Sequence, residues 1–258
     1  MAIAPKDYFL DFEIADGGFE IWVNDIPYFK DASGGSVATE VLVNHFVHQG
    51  KNELRIKFFP LEAAGFKLTS YFKASIIART NDEKSSNILV SVQFVFEAKE
   101  DQQSLPMVEQ AGQFDIAELL FKPALWVGLS TGLSASQLTE IMGRKFLIIY
   151  QLFKQGNIEA IMQEALPKDL YLIERYRLNA ETRLPYLREQ FTQFVQQWQF
   201  TEYAFKTWIF KSYAHNRLFT FELPGGESPI EFVKPTEALK VNIPVYLTLV
   251  ADKPVWVL

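Results

Sequence analysis

The stretch from Ser134 to Gln155, SASQLTEIMGRKFLIIYQLFKQ, constrains this chain more than any other. Ile141, Phe146, Ile149, Leu152 and Phe153 recur at three- and four-residue steps, the period of one face of an α-helix. Ser134 with Gln137 three positions on has the form of a capping box, and Gly156 stands where such a helix would stop. A helix this apolar must be covered on more than one side, so the fold has to set a large apolar layer against it.

The chain can supply that layer. Its 258 residues suffice for one large domain or two of ordinary size, and 48% are hydrophobic. Aromatic residues are abundant, with 23 Phe, 10 Tyr and 5 Trp, and core packing accounts for most rings in any fold. A net charge of −6 without a basic stripe argues against nucleic-acid binding through phosphate contacts. With no cysteine, the chain has no disulfides, thiolate metal ligands or cysteine nucleophiles. The first residues, MAIAPKDYFLDFEI, lack a basic region followed by an apolar one, and no run approaches the roughly 20 apolar residues of a membrane-spanning helix. Membrane insertion is therefore not expected, and the cytoplasm is the default location unless a leader has been removed.

From Tyr8 to Phe96 the period is two. DYFLDFEI, GFEIWVN, NELRIKFF, KLTSYFKASIIA and NILVSVQFVFEA alternate apolar with polar residues between turn-forming DGG, DASGGS and NDEKSSN, which predicts about six or seven strands in one β-sandwich. The order FEIWVNDIPYF, a Gly34-Gly35 turn, then VATEVLVNHFVHQGKNELRIKFFP resembles the jelly-roll modules called galactose-binding-like. The matching residues are Val23-Asn24-Asp25 and Gly50-Lys51-Asn52-Glu53-Leu54, with Asp25 where glycine is usual in that family. The resemblance implies carbohydrate binding through loops, for which Asn24, Asp25, Tyr28 and Asp31 are the candidate residues. His45 and His48 in NHFVH share one side of a helical turn, but no third ligand stands at a recognisable spacing, so they are read as linking-turn histidines and no metal is expected.

The polar stretch AKEDQQSLPMVEQAGQ is read as the start of a connection, which places a β-sandwich domain at residues 1–103, a connecting segment at 104–133 and an α+β domain at 134–258. FDIAELLF is either a strand returning to the sandwich or a short helix. After the long helix, Asn157 can cap NIEAIMQEAL, Pro167 punctuates, KDLYLIERYRLN continues at helical spacing, and Pro185 suits the start of PYLREQFTQFVQQW. Beyond Trp198 the period returns to two. Helices followed by strands, together with RLFTFELPGGESPIEF and IPVYLTLVADKPVWVL, resemble the nuclear transport factor two-like, or cystatin-like, cone, in which a curved antiparallel sheet wraps over a long helix. Such cones host binding, dimerisation and enzymes alike.

No dinucleotide fingerprint, P-loop, nucleophile elbow or metalloprotease motif occurs, so no cofactor is expected. His215 is the one histidine of the second half, and SYAHNRL reads as a turn more readily than as a pocket floor, so no catalytic residue is assigned. Arg175 and Arg177 lie in a charged and aromatic cluster on a predicted helix, and arginine and tyrosine favour interfaces. In FVQQWQFTEYAFKTWIF, strand alternation would put rings on two faces, which makes Trp198, Tyr203 and Trp208 the partner-binding candidates. The sequence is thus read as a non-enzymatic binding protein of bacterial type that recognises a protein partner or a second copy of itself, as an assembly subunit or immunity-like protein does. The alternatives are carbohydrate binding by the sandwich loops, and an enzyme or small-ligand binder using the cone pocket.

Overall fold

The alternating segments of the first half form strands in the computed structural model, which describes residues 6–62, 65–80, 86–97, 105–119, 125–126 and 132–258. The chain divides into two compact units, Met1–Ala124 and Leu125–Leu258. In the first, β1 (Lys6–Ala15), β2 (Gly18–Val23), β3 (Ile26–Asp31), β4 (Ser36–Leu42), β5 (Gly50–Phe59), β6 (Tyr71–Thr80), β7 (Asn87–Val95) and β8 (Val108–Ile116) build two four-stranded antiparallel sheets. Their orders are β4-β1-β6-β7 and β3-β2-β5-β8. Period-two burial is clear: Tyr8, Leu10, Phe12 and Ile14 on β1 and Leu54, Ile56 and Phe58 on β5 are buried. Phe12 meets Phe29 of the other sheet at 5.3 Å between centroids, and Phe58 meets Phe72 at 5.5 Å, so the rings interleave between two inner faces.

The β2–β3 hairpin turns on Asn24 and Asp25, whose φ values of 54° and 62° match the mirror-image two-residue turn that suits strand twist. Positive φ at Asp25 explains why glycine would be at home there. Buried Asn24 donates from Nδ2 to the Phe46 carbonyl and to Asn52 Oδ1, both at 2.7 Å, and accepts from the Glu53 amide at 2.9 Å. Asn52, 3% exposed, also accepts from the His48 amide at 3.0 Å and donates to the carbonyls of His48 and Gly50 at 2.8 Å. The loop carrying NHFVH is therefore tied to the hairpin by side-chain amides that replace missing ladder bonds.

Of residues 104–133, expected to be a connection, Val108–Ile116 is instead strand β8, paired along β5 from Gly50↔Ile116 to Phe58↔Val108. VEQAGQFDI lacks the β-branched alternation that marks a strand, because only Phe114 and Ile116 of this edge strand are fully buried. Gly112 is needed for close approach: a β-carbon there would overlap the Val90 side chain of β7, in the facing sheet. FDI accordingly belongs to a strand of the sandwich, and residues 120–124 lie outside those described.

The second unit begins with the expected helix, α1 (Ala135–Gln155). Ser134 Oγ accepts from the Gln137 amide at 3.3 Å while Gln137 Oε1 accepts from the Ser134 amide at 2.9 Å. Gly156 closes the helix in the left-handed conformation, φ 66°. Pro167 does not end a helix as expected: α2 (Ile158–Arg175) runs through it, capped by Asn157. The Gln163 carbonyl loses its helical donor, but residues 163 and 167 are both exposed, so water can serve it. Pro185 likewise lies inside α3 (Ala180–Gln197), which starts at an Asn179 cap. Two antiparallel sheets follow. One, β10-β11-β14-β15, comprises Ile209–Tyr213, Leu218–Glu222, Leu247–Val250 and Lys253–Trp256; the other, β13-β12-β9, comprises Leu239–Asn242, Glu231–Lys234 and Gln199–Thr201.

Phe146 of α1 contacts Phe221 of β11 at 5.2 Å, and Phe153 contacts Phe232 of β12 at 6.1 Å and Trp256 of β15 at 6.3 Å. The helix thus packs on both sheets. Among the described residues the protein has 15 strands in four sheets and three α-helices, a β-rich unit followed by an α+β unit. None of these helices is long and apolar enough to cross a membrane.

Replacing Asn52 with alanine should lower the unfolding free energy by about 1–3 kcal/mol, because the His48 amide and the Asn24 amide group lose a buried acceptor. Asp31→Ala, at the end of β3 with a side chain bonded to the exposed Ser33, should cost less, under about 1 kcal/mol. Denaturant unfolding of the two variants checks the contrast, and equal effects would show that the amide network is not what secures the loop.

Candidate functional site

Antiparallel pairing of Phe210 with Phe221 and of Ser212 with Phe219 puts all four side chains on one face of the β10–β11 hairpin. Phe146 covers Phe221, whereas towards the start of α1 the same face borders an open groove of about 590 Å³. Leu133, Leu138, Phe210 and Phe219 form its apolar floor. Phe210 and Phe219 stack with ring planes 6° apart and centroids 5.7 Å apart. Thr139, Ser212, His215, Asn216 and Arg217 supply polar groups around it.

The hairpin turn that carries three of these groups is unusual. Ala214, His215 and Asn216 have φ values of 50°, 56° and 63°, a left-handed run without glycine. Such residues cost of order 1–3 kcal/mol each and persist where neighbouring structure over-determines them. Here the Arg217 amide donates to the Tyr213 carbonyl at 3.1 Å, Ser212 Oγ donates to Asn216 Oδ1 at 2.7 Å, and Thr248 Oγ1 on β14 donates to the Arg217 carbonyl at 2.7 Å. The turn is held from its base, and His215 is left exposed at the groove.

Among the described residues the lining contains Arg217 and His215 but no carboxylate, and the first turn of α1 has no acidic residue. Among the described residues Arg217 makes no ion pair, which is notable in a protein of net charge −6. Arginine's fork of donors and a ring nitrogen beside hydroxyls can hold an oxyanion, while the stacked rings accept apolar surface.

The residues singled out in sequence stand apart from this groove. The run from Phe194 to Phe210 is no single strand: it comprises the end of α3, the three-residue β9, a short 3₁₀ turn at Phe205–Thr207 and the start of β10. Two-face alternation therefore does not hold. Trp208 is 9% exposed and packs on Tyr150 at 4.7 Å and Phe146 at 5.5 Å, so its indole belongs to the core. Trp198 caps α3 half-buried against Phe194 at 5.5 Å. Tyr203 is clamped, its amide donating to the Tyr150 hydroxyl at 3.0 Å and its own hydroxyl to Glu231 Oε1 at 2.9 Å. Arg175 is 1% exposed at the end of α2, and Arg177 is exposed with φ 53° beyond the helix. Arg175 and Trp208 thus cannot serve as exposed contacts.

In the first unit the loop candidates are engaged as well. Besides the Asn24 bonds, Asp25 pairs with Arg55 at 2.9 Å, Tyr28 lies edge-on to Phe46 at 4.7 Å, and Asp31 accepts from the Ser33 amide and hydroxyl at 2.7 and 2.6 Å. His45 lies against Phe46 at 4.0 Å, and His48 Nδ1 is 2.9 Å from the Gln49 carbonyl. Among the described residues no group of three or more His, Asp or Glu is placed to hold a metal ion. Comparison with protein-family models, curated proteins and solved structures found no match.

Two outcomes are expected. His215→Gly should raise stability by about 0.5–1 kcal/mol, since glycine relieves left-handed strain and the imidazole is exposed; a loss in thermal unfolding would mean that the ring supports the turn. Partial burial and the Glu231 hydrogen bond push the Tyr203 hydroxyl up to about 12 from 10.0. With the folded value above the unfolded one, its contribution is complete below about pH 10 and disappears as pH rises through about 12. Urea unfolding from about pH 9 to about pH 11.5 should show a smaller alkaline loss for Tyr203→Phe than for the wild type.

Proposed function

We propose that this is a non-enzymatic binding protein that recognises a protein partner, and that the partner's chain enters the groove beside α1 in the second unit. The supporting observation is the groove: a preformed concavity with an apolar floor, a few convergent polar groups and a rigidly held turn has the make-up of a recognition site. Among the described residues the lining offers His215 no carboxylate to orient it, which favours binding over acid–base chemistry in this reading. The galactose-binding-like and cone resemblances remain part of this reading as scaffolds for recognition. Sugar binding by Asn24, Asp25, Tyr28 and Asp31 is the weaker reading, because the polar groups of Asn24, Asp25 and Asp31 are already taken up by partners within the first unit. Ser212→Tyr fills the groove from an exposed strand position, whereas Leu239→Ser alters an exposed residue of β13. In cross-linking from native lysate, a partner retained by the wild type and by Leu239→Ser should fall about tenfold or more with Ser212→Tyr. Equal retention by all three removes the groove from the interface. A second copy as the partner would instead appear as a doubled mass in sedimentation that Ser212→Tyr abolishes.

A further inference from the structure

The groove's charge is more specific than its shape. Arg217 and His215 line the groove together with Phe210, Phe219, Leu133 and Leu138, and among the described lining residues nothing acidic neutralises them. Arg217 forms no ion pair among the described residues, although the chain carries 31 acidic side chains against 25 basic ones. An arginine left unpaired in so acidic a chain, at the edge of an apolar hollow, is matched by an incoming anion that brings apolar surface with it. We infer that the feature recognised here is a carboxylate next to a large apolar side chain on a partner peptide, with the carboxylate on Arg217 and His215 and the side chain on the stacked phenylalanines. This deepens the proposed function and rests on it. One permanent cation balances the single charge of a carboxylate, whereas a phosphate carries close to two. About 590 Å³ accommodates a large side chain and its backbone. The bonds made to the Tyr213 carbonyl and by the Ser212 and Thr248 hydroxyls fix the backbone from which the His215 and Arg217 side chains project, which reduces the ordering cost of association.

N-acetyl-leucyl-phenylalanine with a free carboxylate, the same dipeptide as its amide, and inorganic phosphate test this. The readout is the ring signals of His215, assigned with the His215→Gln protein; the other two histidines, His45 and His48, lie in the first unit. The acid should give a saturable shift, and the amide should bind about tenfold or more weakly, as expected for one charge-assisted contact. Arg217→Gln should weaken the acid by a similar factor and leave the amide unchanged, with Arg217→Lys between. Acid and amide binding alike, or Arg217→Gln weakening both equally, would overturn the carboxylate assignment while the groove itself stood. Phosphate binding as tightly as the acid would overturn it too, because the apolar floor would then contribute nothing. If no probe moves His215, the groove takes no such ligand, and the functional reading built on it fails as well.

Discussion

The contact of α1 with two sheets at once is what the second unit depends on. Phe146 and Phe153, about two helical turns apart on one stripe, reach different partners: Phe221 on one sheet, Phe232 on the other and Trp256 at the far edge of the first. Neither sheet is wide enough to bury its face alone, and the helix supplies the apolar layer that both lack. The same arrangement creates the groove. Where the large aromatic side chains of α1 give way to Leu138 and Thr139, the hairpin face is no longer fully covered, and Phe210 and Ser212 stay accessible.

Stability and recognition pull against each other at the β10–β11 turn. A glycine at any of three successive left-handed positions would ease the backbone, yet the chain has alanine, histidine and asparagine there. Asparagine tolerates the conformation and its side chain is used by Ser212, and Ala214 is buried, but His215 is exposed and has no evident structural use. Strain spent on an exposed imidazole at the mouth of a hollow is the pattern of a residue placed for contact rather than for folding.

Much of the architecture was legible in the chain, and the failures have physical causes. Alternation located strands such as β1 and β5 because one face of each is buried, and the Ser134 box with Gly156 bracketed α1 because caps are local chemistry. Only the Phe114–Ile116 end of strand β8 was open to a strand reading, because an edge strand draws its ladder from β5 and needs few apolar residues of its own. Pro167 and Pro185 read as boundaries, but exposed helix positions tolerate the lost bond. The aromatic run from Phe194 looked like one strand only because spacing cannot reveal that a helix ends and a 3₁₀ turn intervenes. The groove was illegible for a different reason: its floor and polar groups come from segments far apart in the chain, and SYAHNRL carries no signal beyond that of a turn.

Among the described residues each sheet draws its strands from one unit, and this bears on how the protein is made. Within the first unit β1 must find β6 and β5 must find β8, pairings distant in sequence that are slow to form. During synthesis the sandwich therefore cannot close until Ile116 has left the ribosome, and until then β5 presents an unpaired edge. The second unit's helices can form locally as they emerge, and its last hairpin, β14–β15, adds Leu247, Leu249 and Trp256 to its own core. A nascent chain of this protein is thus most exposed to misassociation early, while the sandwich waits for its final strand.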